Sequence, residues 1–248
     1  MNSTGPGRAE QRWRAWWDLA RAGNLPSVAS NVTAALVLAG AGREAAVSPG
    51  LLALAVVAGG LTYAGGATLN DVADAAFDAR HRPERAIPRG VISRGAAAAV
   101  GAGEMIVGLG LLVAAGAGVG WVLALAATIL AYDWLHKRWS GSILLMAGCR
   151  VLLGLSVASL GGKIAGWPLL IWRAVLFSYI AGLSWLARRE YRPGAPAAAI
   201  GRQVGRLLAF IPLVDAVALA VCGAWGWAIA CALAVPAGRL AQRLAAST

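Results

Sequence analysis

The sequence predicts an all-α polytopic membrane protein, a bundle of about eight transmembrane helices, and three observations carry that prediction. Hydrophobic residues make up 59% of the 248 positions while charged ones make up only 13%. A soluble domain of this length has no reason to be so poor in charge. The apolar residues also gather into stretches of the roughly 20 residues that a bilayer-crossing helix needs. The basic residues then fall almost entirely into every second gap between those stretches, the pattern of loops on a cytoplasmic face.

Taken in order, residues 1–24 read as a cytoplasmic N-terminal tail. Arg12, Trp13, Arg14, Trp16 and Trp17 form an amphipathic stretch suited to the lipid interface. A single membrane domain is expected over 25–241. Its eight apolar segments lie near 25–41, 50–69, 96–114, 119–136, 142–161, 168–187, 206–221 and 223–238. The last two share so short a connection that a re-entrant hairpin is the alternative. Residues 242–248 read as a short cytoplasmic tail.

The net charge of +11 would suit nucleic acid, but its placement does not. Of the 22 Lys and Arg residues, all but four lie in the N-terminal tail or follow the second, fourth, sixth and eighth segments. Arg43 and Lys163 alone fall on the other face, and Arg150 and Arg173 lie inside segments. Both termini are therefore expected in the cytoplasm of a cell with this protein in its inner membrane, with membrane lipids as its surroundings and no nucleic-acid partner. The 11 tryptophans, many near segment ends, fit interfacial belts. Three cysteines inside segments and two histidines offer no zinc or di-iron spacing.

One stretch breaks the apolar pattern. "NDVADAAFDARHRPERAIPRG", Asn70 to Gly90, holds three of the six aspartates in eight residues, and five arginines follow by Arg94. At 3.6 residues per turn, Asp71, Asp74 and Asp78 fall within about 60° of one another, and Asn70 extends the stripe. Alanines between them favour helix, and Pro83 is the first breaker. Like charges on one face repel, more so beside an apolar segment, so a cation must compensate. Mg²⁺ suits oxygen donors of this kind and shares them with substrate phosphates. Arg82 and Arg85 would meet phosphate oxygens through paired hydrogen bonds; their bland alternative is an ordinary basic loop. A solvated helix end pairing acids with nearby arginines is the bland alternative for the whole cluster.

Further along, Tyr132 either faces the reacting groups or anchors at the interface. Asp133 has Lys137 four residues on as a salt-bridge partner. Lys137 and Arg138 face the same side as the aspartates and could reach the same anion. Arg150 lies too deep to reach water, so it must face the interior. There it meets the aspartates, an anionic acceptor, or an internal partner such as Glu104 or Asp215. Arg173, nearer an outer end, can snorkel.

These residues resemble the UbiA superfamily of intramembrane prenyltransferases. "NDVADAAFDARHRPERAIPRGVIS" is similar to that family's NDxxDxxxD motif and the loop after it. "NLPSVASNV" is similar to its first span, with Asn31 as the span's asparagine, and "YDWLHKR" to the end of its fourth. "MAGCRVLLG" is similar to the start of the fifth, most closely in the branch encoded in bacterial Ebo gene clusters. The resemblance covers roughly residues 20–190. It implies a bundle around a central cavity, usually of nine spans, in which Mg²⁺ on Asn70, Asp71, Asp74 and Asp78 holds a prenyl diphosphate donor. Asp71, Asp74, Tyr132 and Lys137 would then act in catalysis, while Asn31, Asn70, Arg82, Arg85, Arg138, Arg150 and Glu190 bind substrate. The acceptor stays unspecified. Two features depart from the pattern: Ala86 and Arg89 replace the loop's usual proline and serine, and Glu190 is the one acid in "GLSWLARREYRPG", where a second aspartate-rich motif belongs. Asp133 or Glu190 could substitute for that motif. Three functions follow: a prenyl transferase, a non-catalytic binder or carrier of a prenyl- or phosphate-bearing metabolite, and a phosphatidyltransferase. The last lacks its usual pattern because Ala75 follows Asp74.

Overall fold

A computed structural model describes residues 7–40, 47–161, 166–191, 194 and 196–244. Arg43, Lys163 and Arg192, and residues 245–248 of the expected C-terminal tail, lie outside the described residues.

Every described element is helical: α1 (Arg8–Leu19), α2 (Leu25–Ala39), α3 (Pro49–His81), α4 (Arg94–Ala114), α5 (Val119–Leu135), α6 (Ser142–Ala158), α7 (Trp167–Arg188), α8 (Ala197–Val221) and α9 (Trp225–Leu244), with short 3₁₀ turns beside α2, α6 and α7. The eight expected segments thus appear as α2–α9. Six of them are long and apolar enough to cross a membrane. Of the other two, α5 is an apolar helix of 17 residues, and α9 carries Arg239, Gln242 and Arg243 in its last turns. Both nonetheless pack against long spanning neighbours, α5 against α6 and α9 against α8. Gly223, at φ +80°, turns the chain sharply between α8 and α9. With 25 and 20 residues they are two full helices, about 37 and 30 Å long, rather than a re-entrant pair.

Burial follows composition. α2 is apolar nearly all round and forms the central post of the bundle, contacting α3, α6, α8 and α9. α3 and α4 approach so closely that only glycine fits between them. A Cβ on Gly65 would lie 2.6 Å from both the carbonyl oxygen of Gly101 and the amide nitrogen of Met105. One on Gly108 would lie 2.6 Å from the amide of Thr62. Small residues allow such contact in the absence of a hydrophobic drive between lipid-facing helices.

α3, at 33 residues, is about 50 Å long and outruns the hydrocarbon core. Its last turns, with the aspartates, stand at the same end of the bundle as the starts of α4, α6 and α8 and the ends of α5, α7 and α9. That end also receives α1. The expected amphipathic stretch is this helix: Ala15 and Leu19 pack on Ile92 and Ala97, while Trp13 is 63% exposed. This small separate core, to which Trp16, Ala86 and Ile87 add, fixes the loop that carries Arg85.

Candidate active site

A cavity of about 690 Å³ opens at that end between α3, α5, α6, α7 and α8. Its mouth is polar, with Arg21, Asn70, Asp74, Arg82, Arg85, Lys137 and Glu190 in the walls. Deeper in, the walls are apolar (Leu125, Ile129, Leu153, Ile180), and Arg150 stands among them.

The aspartate stripe divides into two halves that face different neighbours. Asp71 and Asp78, seven residues apart, turn to the α3–α4 loop. Nη1 of Arg85 donates to Asp71 Oδ1 and to Asp78 Oδ2, each at 3.0 Å. A second arginine, Arg21, donates to the same Asp71 oxygen at 2.8 Å. Arg21 holds a left-handed backbone, φ +49°, at the corner between α1 and α2. Non-glycine residues adopt that conformation at a cost and usually where surrounding structure enforces it. Asn70 and Asp74, four residues apart, face α5 instead. Asn70 Nδ2 donates to Asp133 Oδ1 at 3.1 Å. One turn further, His136 Nε2 lies 3.0 Å from Asp74 Oδ2, and Lys137 Nζ lies 3.2 Å from the same oxygen.

The local Asp133–Lys137 pairing expected from spacing therefore gives way to pairing across helices. An i,i+4 pair contributes only about 0.2–0.5 kcal/mol. Leaving the buried Asp74 without a cation would cost several kcal/mol. Lys137 also lies over the Phe77 ring, 4.3 Å from its centroid.

The other sequence-derived candidates separate. Arg82 lines the cavity and pairs with Glu190 at 3.2 Å, so both stand at the mouth. Tyr132 lines it too, stacked on His136. Arg138 is exposed, near the Trp134 ring (5.9 Å) and outside the cavity wall. Of the two departures in the loop, Arg89 is exposed and Ala86 packs beneath α1.

Arg150 is 6% exposed, about 12 Å below the start of α6. It donates to Asn31 Oδ1 (2.9 Å) and Ser27 Oγ (3.1 Å), and it sits over the Tyr63 ring at 4.9 Å. Asn31 passes the interaction on, donating to Asp215 Oδ2 at 2.7 Å. The fully buried Asp215 also accepts from Ser30 (2.6 Å) and from Trp172 Nε1 (2.8 Å). Of the partners weighed for Arg150, Asp215 is thus joined to it through Asn31, and Glu104 lies elsewhere, on α4. Asn31 is not a cavity wall. It is the bridge of this buried relay. Arg173 is buried and donates to the Leu169 carbonyl instead of extending outward.

Sequence reasoning missed Arg21, Tyr63, His136 and Trp172. Only His136 left a trace, being one turn from both Asp133 and Tyr132; the others act across 39 or more residues.

Among the described residues, no three of His, Cys, Asp and Glu converge to cage a metal. The chain's own cations hold the carboxylates. At the cavity one carboxylate oxygen is left over: Asp133 Oδ2 is buried and has no hydrogen-bond partner among the described residues, while a second such oxygen, Glu104 Oε2, lies away from the site on α4. An orphan carboxylate oxygen beside Asn70, in a wall shared with Asp74, is a hard donor. It fits a magnesium ion that takes one or two carboxylates and otherwise phosphate and water.

Fold and site together define a multi-pass helical membrane protein with an acid- and base-lined mouth over an apolar cavity. The chain belongs to the UbiA prenyltransferase family, whose sequence profile matches residues 29–246. A solved structure of digeranylgeranylglyceryl phosphate synthase in membranes has the same fold, with a TM-score of 0.60 over 94% of this chain and 95% of that one, at 14% identity. No curated protein matches the sequence.

Proposed function

We propose that the protein transfers a prenyl group from a prenyl diphosphate to a small or lipidic acceptor within the membrane. The observation that carries this reading is the continuity of one cavity. Arg82, Arg85 and Lys137 at its mouth suit a diphosphate, and Leu125, Ile129, Leu153 and Ile180 below them suit an isoprenoid tail.

Asn70 and Asp74, in the cavity wall, would hold Mg²⁺ beside the diphosphate, and Asp71 and Asp78 would join them as Arg85 leaves these two carboxylates for the phosphate oxygens. When bound, that ion offsets the charge that grows on the leaving diphosphate. Arg82 and Arg85 hold the phosphate oxygens through charge-assisted hydrogen bonds. The allylic C–O bond breaks with its electron pair passing to the diphosphate, and the acceptor's lone pair forms the new bond to the same carbon while its proton leaves. The apolar walls keep water from the cationic carbon, and the Tyr132 ring faces that region. The structural relative's own product is a lipid, which makes a lipidic acceptor the first class to try.

The basic end is assigned to the cytoplasm, both termini included, in a bacterial inner membrane. Within the family, the Met146–Gly154 segment resembles the branch of the bacterial Ebo clusters, and the chain is assigned there. A second reading, a non-catalytic binder or carrier, draws on Glu190, which is engaged with Arg82 where a second acidic motif would belong.

Purified protein supplied with Mg²⁺, prenyl diphosphates of several lengths and candidate lipid acceptors separates the two. A transferase releases diphosphate, and Asp71→Ala with Asp74→Ala reduces the release by orders of magnitude. No release from the unmodified protein leaves the carrier reading standing.

A further inference from the structure

Acidic side chains at the mouth differ in one respect: whether the fold already supplies their counter-charge. Asp71 and Asp78 share Arg85, and Asp71 has Arg21 as well. Asp74 has Lys137 and His136. Glu190 has Arg82. Among the described residues, Asp133 forms no ion pair and accepts one hydrogen bond, from the neutral amide of Asn70, on one oxygen. Its other oxygen is buried with no partner among the described residues. A buried carboxylate oxygen without donor or cation is costly and calls for an explanation.

We propose that Asp133 is a ligand of the substrate-linked magnesium ion and stands in for the acidic motif missing after α7. This rests on the prenyl diphosphate reading of the same cavity. Asn70 and Asp74 occupy neighbouring turns of α3, while Asp133 lies in the last turn of α5 and His136 caps that helix. The two helices meet in two rungs, Asn70–Asp133 and Asp74–His136. One turn spans about 5.4 Å. The free Asp133 oxygen and the Asp74 carboxylate are therefore on adjacent rungs of one cavity wall, so that an ion held by Asp133 would share its phosphate and water ligands with the neighbouring Asp74. The Asn70 amide fixes the Asp133 carboxylate through Oδ1 and leaves Oδ2 to the ion. Glu190, the other candidate substitute, sits across the mouth with its Oε1 already on Arg82. The site then draws its ligands from α3 and α5 rather than from α3 and the end of α7.

The experiment uses the full chain in nanodiscs, Mn²⁺ as a paramagnetic probe and a non-hydrolysable prenyl thiodiphosphate. Mn²⁺ binding is followed by electron paramagnetic resonance, with and without the analogue, for the unmodified protein, Asp133→Asn and Glu190→Gln. Thermal midpoints are measured in EDTA and in Mn²⁺. The expected result is a Mn²⁺ affinity lowered by about tenfold or more in Asp133→Asn, and changed by less than about twofold in Glu190→Gln. In EDTA the Asp133→Asn midpoint should equal or exceed that of the unmodified chain, because an uncompensated charge has been removed. The midpoint rise on adding Mn²⁺ should shrink. Affinity unchanged in Asp133→Asn, or an equal loss in Glu190→Gln, overturns the assignment. So does a lower Asp133→Asn midpoint in EDTA, the mark of a merely structural carboxylate. If the unmodified protein binds no Mn²⁺ with the analogue, the prenyl diphosphate reading fails first and takes this one with it.

Discussion

Arg85 holds two buried carboxylates with one nitrogen, so its removal tests the charge balance of the site directly. In Arg85→Ala, Asp71 keeps Arg21, but Asp78 loses its one ion pair among the described residues, and its carboxylate is only 3% exposed. Removing one member of a buried pair costs about 3–5 kcal/mol. Arg85 is itself partly exposed, at 17%, and Asp71 keeps a partner, so the lower end, about 3 kcal/mol, is expected. For a chain of this length each kcal/mol moves the thermal midpoint by about 2–4 °C. The variant should therefore melt ~6–12 °C below the unmodified protein, in the same detergent and in EDTA. On the proposed reading a divalent ion takes the place of the missing cation, so millimolar Mg²⁺ should recover more of the midpoint in Arg85→Ala than it adds to the unmodified chain. Differential scanning fluorimetry of both proteins, with and without Mg²⁺, reads all four values. A midpoint unchanged by the substitution, or equal Mg²⁺ shifts in the two proteins, would refute the argument that the arginine occupies a cation's place.

Gly65→Leu drives a side chain into the α4 backbone, so a loss of at least about 1–3 kcal/mol is expected, read as aggregation or a lowered midpoint on size exclusion and melting. Asp215→Ala strands the donors of Ser30, Asn31 and Trp172 and should cost about 3–5 kcal/mol, whereas Asp215→Leu combined with Arg150→Met should recover part of that loss in the same melt. Arg82→Ala should raise KM for the prenyl diphosphate about tenfold or more by losing a charge-assisted contact. Arg138→Ala, at an exposed position outside the cavity, should change the same KM by less than about twofold.

The helices were legible because each apolar segment is long enough to dominate its own local pattern, and because Pro49, Pro168 and Gly223 punctuate the chain where helices begin or turn. The aspartate stripe was legible for the same reason: four polar residues on one helix face form a short-range signal. Its division was not. Whether Asp74 or Asp71 turns toward α5 depends on how α3 is rotated in the bundle, which the glycine contacts with α4 set. Nor does spacing reveal that Arg21 reaches Asp71 across 50 positions, or that Asp215 joins Asn31 across 184. The sequence marked Arg150 as too deep for solvent, and that inference holds because burial of a charge demands an answer wherever it occurs. The answer itself, a relay through Asn31, is a tertiary fact.

The mouth is assembled from every connection at one end of the bundle. Arg21 comes from the α1–α2 corner, Arg82 and Arg85 from the α3–α4 loop, Lys137 from the end of α5, and Glu190 from the turn after α7. A chain with so few charges has placed both signs there, in contact. On the proposed reading this lets ligand entry proceed by exchange of partners. A diphosphate takes the arginines, and a divalent ion takes the carboxylates they release. Each buried charge trades one opposite neighbour for another, so no group need be stripped of its counter-charge in a low-dielectric wall, where that would cost most. Asp133 is the exception, because no described residue forms an ion pair with it that could be exchanged. The same reasoning that makes the other acids reversible partners makes this one a fixed demand for an incoming cation.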